Sequence, residues 1–295
     1  MQRKTIAIVG FGDLGERLCG VLPPAHWRCV GLRRSANAVP AGVESVSVDL
    51  RDAHSLRVLE RLQPDALVVA LSPADRSAAG YQAGFAEAMA GIIAGLGEHR
   101  PSRAFFVSST RVYSEARGVW IDESSPTADD DPHVMAILRA EQRFLEAVDT
   151  GIVLRAGGLY GQGPGPLLKR VAAGKLSPTE PLRYGNRIHR DDVAGFMAAA
   201  LAGTLTLDAR VINLVDDAPA ALQEMEAWLC AQLGVPYEPP GPTPASETVA
   251  HKRIGNARLH ASGYVLQYPD YRTGYGAVLH RWMAHSERED GLDLH

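Results

Sequence analysis

Lysine is scarce in this chain. Only Lys4, Lys169, Lys175 and Lys252 occur, and arginine carries the rest of the positive charge. With no lysine between Lys4 and Lys169, few positions are open to a catalytic ammonium. Cysteine is equally sparse. Cys19, Cys29 and Cys230 lack metal-ligand spacing and make a poor disulfide framework, so they read as reduced, mostly packed thiols. No strong charge of either sign is present. A formal net charge of -4 gives no electrostatic case for nucleic acid or an anionic membrane surface. Long apolar runs are also missing, since the longest, around residues 86–97, is interrupted by Glu87 and is too short to span a bilayer. Met1-Gln2-Arg3-Lys4 leads straight into an apolar strand with no signal-peptide pattern. The expectation is a cytoplasmic protein without nucleic-acid or membrane partners.

The 295 residues, 46% hydrophobic and 22% charged, suit one large α/β domain or one with a smaller companion. Apolar, β-branched runs at 5–9, 29–32, 43–48, 66–71, 105–108 and 152–154 read as strands. Helical patterns at 54–62, 81–96 and 134–148 separate most of them. After the first strand, Leu14, Leu18, Val21 and Leu22 mark one helix face, stopped by Pro23-Pro24. Strands alternating with helices at this spacing predict a doubly wound parallel sheet of the Rossmann type. Residues 157–166 are dense in turn formers and read as a long loop. A helix at 191–201, a strand at 210–214 and a helix at 219–233 follow, with Pro219 in that helix's first turn. Residues 236–244 are Pro-rich and irregular, and 286–295 are polar and expected to fray.

The first strand runs into Gly10-Phe11-Gly12-Asp13-Leu14-Gly15, which opens the first helix. A G-x-G-x-x-G in that context is a dinucleotide fingerprint. Gly10 permits the tight turn, Gly12 admits the pyrophosphate to the backbone, and Gly15 allows close helix–strand packing. The helix N-terminus then faces the phosphates. The second strand ends in Leu32-Arg33-Arg34-Ser35 with no carboxylate. An acid there would bind the ribose 2′-hydroxyl of NAD, whereas arginine accommodates the 2′-phosphate of NADP, so NADP(H) is favoured over NAD(H). Asp49 and Leu50 follow the third strand, where the pair either meets the adenine edge or, for Asp49, is a simple loop carboxylate. Leu71, ending the fourth strand, completes the candidate cofactor set.

Several separated stretches then share one pattern. The glycine loop is followed by Ser108-Ser109-Thr110-Arg111-Val112-Tyr113, by Leu154-Arg155, and by Leu159-Tyr160-Gly161. Ile188-His189-Arg190-Asp191-Asp192-Val193-Ala194, Val211-Ile212-Asn213-Leu214-Val215-Asp216-Asp217 and Lys252-Arg253-Ile254-Gly255-Asn256-Ala257-Arg258-Leu259 come in the same order. Over nearly its whole length the chain resembles the extended short-chain dehydrogenase/reductases of the NAD-dependent epimerase/dehydratase family, and within them the atypical members with degraded active sites. The resemblance implies a Rossmann core over 1–160, with 188–216 returning to it, and a small C-terminal substrate domain built from 161–187 and 217–295. It also implies chemistry by Ser or Thr, Tyr and Lys, and a homodimer is in keeping with it.

In that chemistry the ammonium lowers the phenol's pKa so that it exchanges a proton as hydride moves. Ser109 matches the position that polarises the substrate, although a hydroxyl capping a strand end is an equal reading. The Tyr-Lys pair is missing, because aligning Leu138-Arg139-Ala140-Glu141-Gln142 with the family's helix puts His133 at the tyrosine's place and Ile137 at the lysine's. Asp131 and Pro132 form a good start for that helix. His133 is either an acid/base or a partly exposed histidine of the first turn. Tyr113 and Tyr160 read as packing or cofactor-pocket residues. His189 is either a substrate-side residue or an entry-loop residue, with Asp191 capping the next helix.

Two functions follow from these residues. One is an NADP(H)-dependent oxidoreductase or isomerase with a non-standard active site, acting on a small or sugar-like alcohol or carbonyl. The other is a catalytically inactive NADP(H)-binding regulator or sensor, because the same fold supports both.

Overall fold

The computed structural model describes residues 2–35, 39–114, 117–242 and 252–290. The chain begins with β1 (Lys4–Val9), α1 (Asp13–Val21), β2 (Trp27–Arg33), β3 (Val43–Ser47), the short helices α2 (Ala53–Leu56) and α3 (Val58–Leu62), and β4 (Ala66–Ala70). Next come α4 (Ala78–Tyr81), a π-helical turn (Gln82–Glu87), α5 (Ala88–Leu96), β5 (Arg103–Ser109), a 3-10 turn (Thr110–Val112), β6 (Trp120–Ile121), α6 (Pro132–Ala147) and β7 (Gly151–Ala156). The last third holds β8 (Gly158–Tyr160), α7 (Gly165–Ala172), β9 (Tyr184–Gly185), β10 (Arg187–His189), α8 (Arg190–Ala202), β11 (Val211–Leu214), β12 (Ala220–Ala221), α9 (Leu222–Leu233), β13 (Arg253–Ile254), α10 (Ala257–Ala261) and α11 (Tyr271–Asp290).

Seven strands form one sheet in the order β11-β7-β5-β4-β1-β2-β3, every pair parallel. This is the doubly wound Rossmann-type α/β sheet expected from the sequence. The chain reverses its direction of winding across β1, between β2 and β4, so a crevice opens beyond the carboxyl ends of β1 and β4. Both faces of the sheet are covered, which is why β4 reads as a continuous apolar run. On one face Leu56, Leu59, Met89, Ile92, Ile137 and Phe144 from α2, α3, α5 and α6 pack on Val9, Val69 and Phe106. On the other, Leu14 and Leu18 of α1 meet Val193, Phe196 and Met197 of α8 over Ile6, Ile8 and Phe105. A third apolar cluster joins Tyr160, Leu168 and Val171 to Met225 and Leu229 of α9 and to Tyr271, Tyr275 and Val278 of α11.

The structure departs from the sequence reading in several places. The helix expected over 54–62 is two short helices meeting at Arg57, and Asp52 caps the first by accepting from the amides of His54 and Ser55. The helix expected from 81 starts at Ala78, capped by Ser77, and carries the π turn. The loop at 157–166 contains β8 and the start of α7. Pro219 lies outside the helix, because Ala220 and Ala221 pair with β9 before α9 starts at Leu222. Val21 is exposed, since Leu14, Leu18 and Leu22 already fill the buried face of α1. The strand read at 210–214 is β11, from Val211, and α8 starts at Arg190. Residues 286–290, expected to fray, continue α11, while 291–295 and 243–244 lie outside the described residues. Cys19, Cys29 and Cys230 are all free. No helix among the described residues is long and apolar enough to cross a membrane.

Candidate functional site

The turn after β1 is built by steric constraint. Gly10 has φ +80°, and a Cβ there would lie 2.0 Å from the Ala70 carbonyl oxygen, so β4 leaves room only for glycine. The amides of Gly10 and Phe11 both donate to the Leu32 carbonyl, at 3.0 and 3.1 Å, tying the turn to β2. Phe11 is a buried plug. Cβ atoms on Gly15 and Gly31 would come within 2.8 and 2.5 Å of its ring, so these two glycines form its slot. A Cβ on Gly12 meets nothing within 4 Å, so the loop's second glycine faces open space. No side chain caps α1, and its first-turn amides keep their donors for a ligand.

A cavity of about 370 Å³ opens on this turn. Gly10, Phe11 and Gly12 form its floor, Arg33, Arg34 and Ser35 its wall on the β2 side, and Asp49 and Leu50 the adjoining end of β3. Leu71 continues it toward Ser72, Pro73 and Ala74. Ala83 and Gly84 of the π turn close that end. A Cβ on Gly84 would sit 2.5 Å from the Ser72 carbonyl oxygen, so backbone packs directly on backbone there. Eight of the eleven residues expected at a cofactor thus line one cavity. The side chains of Asp13 and Leu14, and Gly15, do not. Leu14 is buried in the core, Gly15 accommodates Phe11, and the Asp13 carboxylate turns to Arg17 at 2.9 Å and Arg190 at 3.2 Å. Those two cations offset an acid that would otherwise repel a diphosphate at the helix start.

Arg51 also lines the cavity and is absent from the sequence reading. Its guanidinium holds Asp49 through Nε at 3.3 Å and a terminal nitrogen at 3.2 Å, and its backbone amide donates to the same carboxylate at 3.0 Å. The side-chain hydrogen bonds foremost, then the backbone one, hold the Asp49 carboxyl below the usual carboxylate range. The signal was local, a carboxylate and an arginine two residues apart just beyond a strand end.

The two residues expected to be catalytic, Ser109 and His133, do not line this cavity. Ser109 ends β5, and its Oγ accepts from the Arg111 amide at 3.1 Å, capping the 3-10 turn. His133 stands in the first turn of α6, its Nδ1 2.8 Å from the Asp131 carboxylate. A carboxylate only accepts, so Nδ1 carries a proton, and in the neutral ring Nε2 is the acceptor. The imidazole meets Tyr81 edge-on with centroids 4.9 Å apart, and the Arg111 guanidinium lies 5.3 Å from the centre of the same tyrosine ring. Ile137, at the place of the family's lysine, is buried in the core.

Behind them is a buried polar network. Ser108 Oγ donates to Glu141, which also takes three hydrogen bonds from Arg155, from Nε to both oxygens and from a terminal nitrogen to Oε2, and the Arg155 guanidinium lies 4.9 Å from the centre of the Tyr113 ring. Tyr113 donates from its hydroxyl to Asn213 Oδ1 at 2.6 Å. Burial raises the phenol's pKa and the Arg155 charge lowers it, with burial the larger effect. Tyr113 is buried in the core. So is Tyr160, which stacks on Tyr275 at 4.7 Å and whose phenol burial also pushes up.

His189 is fully buried, 3.9 Å between ring centroids from Tyr268. Its Nδ1 accepts from the Asp191 amide at 3.2 Å, so His189, rather than Asp191, caps α8. Burial pushes its pKa down to about 4, so at neutral pH its contact with the Asp191 carboxylate is no ion pair.

The NAD-dependent epimerase/dehydratase family model matches residues 6–213, and the chain belongs to this family. Protein YeeZ of Escherichia coli K12 is 30% identical over 283 residues, an alignment covering 90% of this chain and 97% of YeeZ. A Methylobacillus flagellatus structure described as an NAD-dependent epimerase/dehydratase is 32% identical, covers 95% of this chain and 99% of its own, and superposes with a TM-score of 0.77. Bordetella bronchiseptica WbmG, solved with NAD and UDP, superposes with a TM-score of 0.79 over 96% of each chain at 17% identity, which speaks to the fold alone.

Proposed function

We propose that the chain binds NADP(H) in the crevice beyond β1 and acts as an oxidoreductase or isomerase on a small or sugar-like alcohol or carbonyl. The observation that carries this reading is the joining, in one cavity, of the uncapped glycine turn with Arg33 and Arg34. The first-turn amides of α1 would hold the diphosphate, and the strand-end arginines the 2′-phosphate. WbmG, with the same fold, was solved with NAD, and its complex supports a dinucleotide in this crevice. A bound nicotinamide supplies hydride chemistry. Ser109 would polarise the substrate oxygen, and His133, oriented through Nδ1 by Asp131, would exchange the proton at Nε2. The substrate would lie between the Rossmann core and the smaller part that the sequence reading assigns to 161–187 and 217–295.

A second reading is a dinucleotide-dependent regulator without turnover. It is favoured by the buried Ile137 at the lysine's place and by the engagement of Ser109 Oγ with the Arg111 amide. Titration of the protein's fluorescence with NADPH and NADH, followed by a carbonyl-substrate screen, tests both. Replacing Arg33 and Arg34 by alanine is expected to cost NADPH about 1–3 kcal/mol of binding and to leave NADH nearly unchanged. Equal losses for the two nucleotides would refute the NADP(H) assignment. Turnover lost in Ser109→Ala and His133→Ala would establish the enzyme, and binding without turnover the regulator.

A further inference from the structure

We propose that Cys19 and Cys29 are a redox pair, closing as a reversible disulfide that draws α1 onto β2 and loosens the hold of the glycine turn on a nucleotide. The consequence for the nucleotide rests on the dinucleotide reading, whereas the disulfide itself does not.

Register brings the two thiols together. β1 and β2 are parallel neighbours, so α1 between them runs back against the direction of β2 and meets it in reverse order. Gly15 of α1 and Gly31 of β2 stand at one level, because both border the Phe11 ring. Four residues along α1, about 6 Å, the same helix face presents Cys19, and two residues back along β2, about 6.6 Å, the same strand face presents Cys29. Cys29 lies within the apolar cluster under α1, and Cys19 packs against it. The thiols hydrogen-bond each other, and for each sulfur this contact outweighs burial. The Cys19 thiol favours the ionised Cys29 sulfur by donating to it, and its own proton is held the more tightly. Cys230 belongs to a different cluster.

Cys19 is partly exposed and Cys29 buried, which sets the order of events. A peroxide reaches Cys19 first and gives one oxygen to its sulfur as a sulfenic acid, while the other leaves as water. The Cys29 sulfur then displaces that oxygen as a second water and forms the S–S bond. Two S–H bonds and one O–O bond break, and two electrons pass from the sulfurs to the peroxide oxygens. Bonding brings the sulfurs closer than any non-bonded contact allows, so α1 is pulled toward β2. The slot one turn away has no room to narrow, since a Cβ on Gly31 would already stand 2.5 Å from the Phe11 ring. The Phe11 amide is part of the turn, bound to the Leu32 carbonyl at 3.1 Å, so a displaced ring displaces the backbone that faces the phosphates.

Trypsin supplies the test, because it cleaves after Arg17, Arg28 and Arg33 and so puts Cys19 and Cys29 on separate peptides, 18–28 and 29–33. The full chain is treated with hydrogen peroxide, its remaining thiols are alkylated, and the digest is read by mass spectrometry. The expected result is a linked species of these two peptides that dithiothreitol releases, absent from Cys19→Ser and retained in Cys230→Ser. Oxidised wild-type protein is expected to bind NADPH about tenfold more weakly than reduced protein, with dithiothreitol restoring the affinity. Cys19→Ser should bind NADPH alike before and after peroxide. Sulfinic acid on Cys19 without the linked species overturns the redox pair. The linked species with unaltered NADPH affinity overturns the switch. If reduced protein binds neither NADPH nor NADH, the dinucleotide reading falls and takes the nucleotide consequence with it, while the linked species still decides the pair.

Discussion

Glu141 on α6 grips Arg155 on β7 through both carboxylate oxygens, at 2.7 and 3.1 Å, with both side chains nearly out of contact with solvent. Ser108 supplies a third donor, and the Tyr113 ring lies under the guanidinium. Burial works against the Arg155 cation, and the hydrogen bonds and charge of Glu141 more than offset it, so its pKa lies above the ordinary guanidinium. The pair pins the helix that carries His133 to the carboxyl ends of β5 and β7.

Breaking one side of this pair leaves an uncompensated buried charge. Glu141→Leu alone is expected to cost about 3–5 kcal/mol of stability, and Glu141→Leu combined with Arg155→Met less than either single change. Urea unfolding of the four proteins measures both. Additive losses would show that the two groups are not coupled.

Phe11 and Gly31 make a second prediction. An added methyl at Gly31 would stand 2.5 Å from the Phe11 ring, so Gly31→Ala forces the glycine turn to shift. The expected cost is about 1–3 kcal/mol, accompanied by weaker nucleotide binding. Phe11→Leu in the same protein should restore part of both, read by thermal melting and by NADPH titration. A Gly31→Ala protein with unaltered affinity would mean that the turn does not depend on this slot.

Asp216 gives the pH dependence a sign. Burial foremost lifts its carboxyl to about 8, with Arg187 pulling the other way, while an unfolded aspartate ionises near about 3.9. Between those values the folded chain keeps a proton that the unfolded chain has released. The contribution of this group therefore lowers stability as pH rises from about 4 to about 8. Asp216→Asn cannot titrate and can still accept from the Ala218 amide, a contact of 3.3 Å in the native chain. Its stability relative to wild type should rise steadily across that range in denaturant titrations. A difference that stays constant with pH would mean that Asp216 is ionised throughout.

His133 and Asp131 carry the last prediction. Nitrogen NMR of the neutral ring should find the proton on Nδ1. Asp131→Ala should give a mixture of tautomers and, by removing the cap of α6, cost about 1 kcal/mol of stability. A dominant Nε2–H form in the native protein would exclude His133 as a base at that atom.

The sequence made legible what depends on near neighbours. Gly10, Gly12, Arg33 and Arg34 stand at or just past strand ends, and a parallel sheet brings such ends to one crevice, so these residues could be placed together before any coordinates. Gly31 could not, because its reason is the ring of Phe11, twenty residues away in the chain. Arg51 was overlooked although its partner Asp49 was named, since spacing alone does not show that a side chain turns back on its neighbour. Alignment put His133 and Ile137 at the family's catalytic positions but gave no view of their surroundings. The helix starts differed where another group took the expected role, as with the His189 ring in place of Asp191 capping α8 and the backbone pairing of Ala220 and Ala221 with β9.

The ties between α1 and α8 also bear on how this protein is made. The apolar side of α1, first to leave the ribosome after β1, is covered by Phe196 and Met197, and Arg17 holds both Asp191 and the Gly161 carbonyl. A nascent chain of 150 residues has β1 to β5 available to pair, yet it lacks the α8 residues that complete the cover of Leu14 and Leu18. The helix synthesised first is thus covered only after α8 has been made.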